Sequence, residues 1–156
     1  MENSVENVET VAESSRNRKP MLISQNSTLD DKGRINIPAK FRDALDGGFV
    51  LMKHSDRRVK CLLIFVEDEF ERFYAKLKAK PNVHFSQAMR FLQVNRIEPK
   101  QGRFVVPPIL REYAGLEDEL VLIGMGDTAE VWSKSEYEKN DVEEMGDNLD
   151  EILGDI

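Results

Sequence analysis

Cysteine occurs once in this 156-residue chain, as Cys61, and histidine twice, as His54 and His84. One thiol cannot close an internal disulfide, which fits a reducing compartment. The two histidines stand in unrelated segments, and neither has Cys, His or a carboxylate beside it at the spacing of a metal site. Long apolar runs are also missing. The longest, Cys61 to Val66, has six residues, far below the roughly 20 that span a bilayer. The first twenty residues are rich in Glu, Asn and Ser with no apolar stretch, so no secretory signal is expected. No G-x-S-x-G, P-loop or dinucleotide fingerprint occurs. Cys61 lies in the stretch KCLLIF, where a buried thiol behaves as a small hydrophobe with a raised pKa. Asp30 and Asp31 are adjacent, point to opposite sides of an extended segment and suit a turn better than acid–base work. These absences lead to the expectation of a soluble cytosolic protein that is not an enzyme and takes no cofactor or metal.

A surplus of positive charge is lacking too. The formal net charge is −7, and an evenly acidic surface would repel phosphates and forgo counterion release. The acids are unevenly placed, however. Residues 136–156 carry nine acids and one base and residues 1–20 four acids and three bases, leaving 18 bases against 16 acids over 21–135. The body is therefore mildly basic, which is compatible with DNA as a partner. At 17.9 kDa and 40% hydrophobic residues, the chain has the material for one compact core with flanking segments.

What is present is a repeat. LDDKGRINIPAKFR at 29–42 and EPKQGRFVVPPILR at 98–111 align without gaps, sharing Gly33/Gly102, Arg34/Arg103, Pro38/Pro107 and Arg42/Arg111. Shifting by two residues then matches Phe49-Val50-Leu51-Met52 with Leu120-Val121-Leu122-Ile123, and Glu69-Phe70-Glu71 matches Glu136-Tyr137-Glu138 further on. Such self-similarity indicates two copies of one supersecondary unit. Each unit reads as a strand, a polar turn closed by Gly-Arg, a short apolar strand stopped by proline, one helical turn, two more strands and a helix. Phe70, Phe73, Tyr74 and Leu77 form a core-facing helical stripe. Ser133 and Glu136 have capping-box spacing, and Phe85, Met89 and Leu92 suggest a short helix between the halves. Gly47-Gly48 fits a turn before the strand at 49–53, and Trp132 fits the core.

The expected organisation is a disordered arm over 1–20, a first repeat with its helix over 21–80, a linker helix and second repeat over 81–140, and an acidic tail over 141–156, where Leu149, Ile152 and Leu153 could form an amphipathic turn. Half-units with unpaired strand edges need one another, so the expected architecture is α+β and mainly β, a pseudo-twofold barrel that leaves no edge open.

The Gly-Arg turns are the candidate functional feature. Asp30 can accept bonds from the turn's free N–H groups, Gly33 can take a positive φ, and Lys32 and Arg34 then stand together at the tip. Arg103, with Lys100 beside it and Gly102 in the turn, is the second copy. On spacing alone two roles fit these arginines. They either bridge carboxylates inside the barrel or reach outward, where Arg pairs with guanine O6 and N7 and Lys suits phosphate. Arg42 and Arg111 read as structural, and the Arg16-Asn17-Arg18-Lys19 run as a solvated charge cluster or a phosphate contact.

These motifs, together with AGLEDELVLIGMGDTAEVW at 114–132, resemble the MraZ family of the SpoVT-AbrB-like superfamily, over roughly residues 21–140. The resemblance implies a swapped-hairpin-type barrel, ring-shaped homo-oligomers and a nucleoid-associated regulator of transcription. Such a regulator binds repeated double-stranded DNA sites upstream of its own division and cell-wall gene cluster. It also implies that Asp30, Lys32, Gly33 and Arg34 form a DNA-reading turn in the first half and Gly102 and Arg103 its counterpart in the second; Lys100, beside Arg103, is a candidate DNA contact from the reading of the turn itself. The chain departs from the family pattern at Pro99, where Asp is usual, at Ile23, where glycine is common, and at Gln93, where a small residue is common. A different class of function, a protein-interaction ring whose acidic tail recruits a basic partner without DNA, fits the same composition.

Overall fold

The computed structural model describes residues 18–81 and 84–140, together with Leu153. The expected arm up to residue 17 and the tail from 141 onward, Leu153 aside, lie outside the described residues. In chain order the elements are β1 (Met21–Thr28), β2 (Arg34–Asn36), α1 (Ala39–Leu45), β3 (Phe49–Lys53), β4 (Leu62–Phe65), α2 (Glu67–Ala79), α3 (Phe85–Leu92), β5 (Asn95–Ile97), β6 (Arg103–Val105), α4 (Pro108–Tyr113), β7 (Glu119–Gly126) and β8 (Thr128–Ser133). The expected order of elements recurs in both halves, and α3 occupies the linker. A final helical stretch begins at residue 134, directly after Ser133.

The halves are interleaved. A six-stranded antiparallel sheet runs β1-β7-β8-β4-β3-β5, and β2 pairs with β6 as a separate two-stranded ribbon. Exchanging the copies (β1 with β5, β2 with β6, β3 with β7, β4 with β8) turns the sheet order into its own reverse, so the pairing is pseudo-twofold. The ladders do not close. β1 and β5 are the two edges of the sheet, and an isolated bridge from Leu29 to Ile35 links the end of β1 to the ribbon. The edge-free barrel expected from the sequence is therefore corrected to a sheet plus a ribbon. The physical reason lies in the second copy: β5 has three residues where β1 has eight, and Pro99 just beyond it has no N–H to extend a ladder.

Alternation explains the uniformly apolar β3 and β4. Phe49, Leu51, Leu62 and Ile64 face a core shared with β2, α1, β6, α4, β7 and β8. Val50, Met52, Leu63 and Phe65 face a second cluster with Phe70 and Leu92. A strand buried on both faces reads as continuous hydrophobic sequence. The stripe of α2 covers this second face, Phe70, Phe73, Tyr74 and Leu77 all packing there. Pro38 and Pro107 each stand just before a helix with φ near −55, ending β2 and β6 and entering α1 and α4. Arg18 does not extend into solvent; its guanidinium lies 3.2 Å from both Asp68 and Asp127.

Candidate nucleic-acid interface

The ribbon carries the candidate site. Ile35 and Phe104, opposite each other, point inward to the core, so Arg34, Asn36, Arg103 and Val105 form its outer face. Arg34 is opposite Val105 and Asn36 opposite Arg103. The two arginines thus sit diagonally on one face, related by the pseudo-twofold.

The first turn is tied by Asp30. Its Oδ1 accepts the backbone N–H of Lys32 at 2.9 Å and of Arg34 at 2.8 Å. Its Oδ2 accepts Arg34 Nε at 2.7 Å. The Arg34 backbone N–H, opposed by some burial and helped by the guanidinium and the Lys32 N–H, holds the Asp30 carboxyl below the usual aspartate range. Gly33 closes the turn at φ 77. Arg34 is neither locked inside nor free: its side chain is 32% exposed, and among the described residues only its Nε has a side-chain partner. Lys32 is exposed at the tip.

The second turn is built differently. In the first, the Asp30 N–H donates to the Arg34 carbonyl at 2.9 Å. Pro99 occupies the matching position without an N–H, and the bond to the Arg103 carbonyl comes instead from Lys100 at 2.8 Å. The turn is thereby one residue tighter, with Gln101 at φ 56 and Gly102 at φ 71, the two positive central angles of a type I′ hairpin. Arg103 has no carboxylate to hold it among the described residues, and Lys100 is exposed. Arg34, Arg96, Lys100 and Arg103 line one hollow of about 590 Å³ together with Ile97, Val105 and the carboxylate of Glu98. Arg96, unremarked in the sequence, comes to this hollow through β5 and is paired with Glu67, its Nε at 2.8 Å.

Arg42 and Arg111 cross between the copies. The Arg111 guanidinium rests on Gly33 and that of Arg42 on Gly102. The backbone repeats the exchange, Ile37 N–H donating to the Gly102 carbonyl at 2.8 Å and Val106 N–H to the Gly33 carbonyl at 2.9 Å. Each Gly-Arg turn is thus held in place by the opposite half.

The chain belongs to the MraZ family. A family model described as "MraZ protein, putative antitoxin-like" matches residues 23–92 and 99–149. A relative from Salinispora arenicola named Transcriptional regulator MraZ is 39% identical over 127 residues, covering 78% of this chain and 87% of its own. One of that name from Paenarthrobacter aurescens is 42% identical over 110 residues, 67% of this chain and 74% of its own. Another, from Lachnoclostridium phytofermentans, is 37% identical over 131 residues, 81% and 88% of the two chains. The family's departures in this chain now have geometry. Ile23, where the MraZ resemblance leads one to expect glycine, has φ 61, and Gln93 has φ 52. Both backbone positions are left-handed and favour glycine.

One cluster escaped the sequence reading. His54, Cys61 and Glu130 come from three segments, yet their ligand-type atoms lie within 4.8 Å of one another. The hydrogen-bond sense decides its nature. His54 Nδ1 accepts the Asp56 backbone N–H at 2.9 Å, so Nε2 carries the proton and donates to Glu130 Oε2 at 3.0 Å. A metal-bound imidazole needs the reverse, with the far nitrogen donating. Glu130 also accepts Trp132 Nε1 at 2.9 Å. Burial pushes the Glu130 carboxyl up, but the bonds from His54 and Trp132 outweigh it and the net shift is downward. Burial pushes the Cys61 thiol well above its ordinary range, the state of a packing residue and not of a nucleophile. No described helix is long and apolar enough to cross a membrane.

Proposed function

We propose that this MraZ-family protein is a sequence-specific DNA-binding transcriptional regulator whose β2/β6 ribbon and its two Gly-Arg turns enter the major groove. The observation that carries this reading is the diagonal placement of Arg34 and Arg103 on the outer face of one two-stranded ribbon, a shape the major groove admits. Asp30 fixes the Nε edge of Arg34 and leaves its terminal nitrogens for a base edge, while Lys32 and Lys100 supply phosphate contacts. With Ile35 and Phe104 in the same core as the sheet, we read ribbon and sheet together as an open, unclosed counterpart of the superfamily's swapped-hairpin barrel, with the repeats at 21–80 and 81–140 as its halves.

A mildly basic body supports only a modest affinity per copy, so several copies acting on repeated sites would gain by effective concentration. The exposed cross-strand pair Leu22 and Met125 on the β1 side of the sheet favours such self-association, as a ring of copies. The proposed targets are repeats upstream of the protein's own division and cell-wall gene cluster, on the nucleoid. The test is fluorescence anisotropy with the duplex upstream of its own gene and a scrambled duplex across a salt series. The expected result is preference for the upstream duplex and a linear fall of log affinity with log salt. Absence of binding at the lowest salt would instead favour an assembly module without DNA.

A further inference from the structure

Residues 141–156 carry seven acids and no base, interspersed with Met145, Leu149, Ile152 and Leu153. Leu153 is 49% exposed. The hollow beside the ribbon complements that composition, with cationic Lys100 and Arg103 set around Ile97 and Val105. The two copies also differ here in a telling way. Where the first half has Asn36 and Lys40, the second has Val105 and Ile109, each 57% exposed. Aliphatic side chains gain nothing from phosphates. Val105 lines the hollow with Lys100 and Arg103, and Ile109 follows it four positions on, at the start of α4; such a combination suits a ligand that brings carboxylates and aliphatic groups together.

The path is short. Lys134 lines a hollow with Thr28, the Thr28 hydroxyl accepts Asn36 Nδ2 at 3.1 Å, and Asn36 is the cross-strand partner of Arg103. The segment leaves at residue 141, seven positions after Lys134, and its sixteen residues span up to about 55 Å when extended. It reaches the ribbon with length to spare.

We propose that residues 141–156 dock across Lys100, Arg103, Val105 and Ile109 and compete there with DNA, so that the protein screens its own ribbon until a cognate site displaces the segment. The competition rests on the DNA reading above; the docking does not. A tethered segment acts at a millimolar effective concentration, enough for even weak docking to matter.

The test uses the full chain with Asp141, Asp147, Asp150 and Asp155 changed to Asn and Glu143, Glu144 and Glu151 to Gln. A labelled synthetic peptide of sequence 141–156 is titrated into this variant at low salt and followed by anisotropy. Saturable binding is expected, weakened at least about tenfold by adding Lys100→Glu and Arg103→Glu. The milder pair Lys100→Ala and Arg103→Gln serves if charge reversal disturbs the melting curve. The same neutral-tail variant should take double-stranded DNA about 3- to 10-fold more tightly than wild type at low salt, a gain that fades as salt rises. Failure of the peptide to bind, or binding indifferent to Lys100 and Arg103, overturns the docking. Peptide binding with an unchanged DNA affinity overturns the competition. Peptide binding by a protein that takes no DNA keeps the docking and overturns the DNA reading instead.

Discussion

The Arg111 guanidinium occupies the place where a side chain on Gly33 would begin: a Cβ there would stand 2.3 Å from Arg111 Nη1. Gly33 is thus needed twice, for its φ of 77 and for the arginine of the other half that lies upon it. Gly33→Ala should cost about 1–2 kcal/mol from the left-handed backbone, with an added cost for displacing Arg111. In an Arg111→Ala background that added cost should vanish, so a double-mutant cycle by urea melts should show coupling. Strict additivity would mean the two residues do not support one another.

Ile23 is a β-branched residue at φ 61, and the residue is 61% exposed. Opposite it, a Cβ on Gly124 would lie 2.6 Å from the Met21 carbonyl group, so the kink in β1 brings two backbones together at that point. Ile23→Gly relieves the steric penalty with little loss of buried area and should raise stability by about 0.5–1 kcal/mol, after the entropy of glycine is counted. Gln101→Gly, at φ 56, should do the same at the tip of the second turn. Thermal melts decide it, and a lower melting temperature for both variants would contradict the assignment of strain.

Glu130 titrates below the ordinary glutamate value of 4.5 because His54 and Trp132 bond its charged form more than burial disfavours it. A carboxyl lowered in the fold stabilises it above the unfolded pKa and loses that stabilisation as pH falls through the lowered value. Stability of the wild type should therefore drop as pH falls below about 4.5, and Glu130→Gln should drop less steeply over the same window. The measurement is the midpoint of urea unfolding from pH 6 to pH 3. Parallel curves for the two proteins would show that Glu130 takes no part.

Asp30→Asn keeps an oxygen for the Lys32 and Arg34 N–H groups but removes the charge that holds Arg34 Nε. The turn should persist while the guanidinium loosens. Losing a carboxylate beside phosphates favours any DNA, so affinity for a scrambled duplex should rise and the ratio of specific to non-specific affinity should fall. An unchanged ratio would mean that Asp30 does not orient the reading side chain.

Much of this was legible in the sequence because it is local or repeated. The Gly-Arg-x-x-x-Pro spacing located both turns, the prolines located the ends of β2 and β6, and the period of Phe70, Phe73, Tyr74 and Leu77 located α2 and its buried face. The role of Asp30 as acceptor for the turn follows from its position alone. Other features depend on which strands become neighbours. Glu130 faces Leu63 across the β4–β8 ladder, and only that pairing brings it to His54 and Cys61. Arg96 joins the hollow because β5 lies at the sheet edge. The open edges follow from the brevity of β5, a three-residue strand of sequence Asn-Arg-Ile whose polar composition does not announce a strand at all. The tighter second hairpin was foreshadowed by Pro99, but the slip of one residue in its hydrogen bonds needed the backbone to be seen.

The most direct measurement compares wild type with Arg34→Ala, Arg103→Ala and the double variant, scoring the ratio of affinities for the upstream and scrambled duplexes alongside each protein's melting curve. With each guanine-type contact worth about 1–3 kcal/mol, each single variant should lose about 5- to 150-fold in that ratio, the double variant should fall to non-specific binding, and the melting curves should stay within a few degrees. Undiminished selectivity in a well-folded double variant would contradict the reading of the ribbon as the surface that recognises DNA.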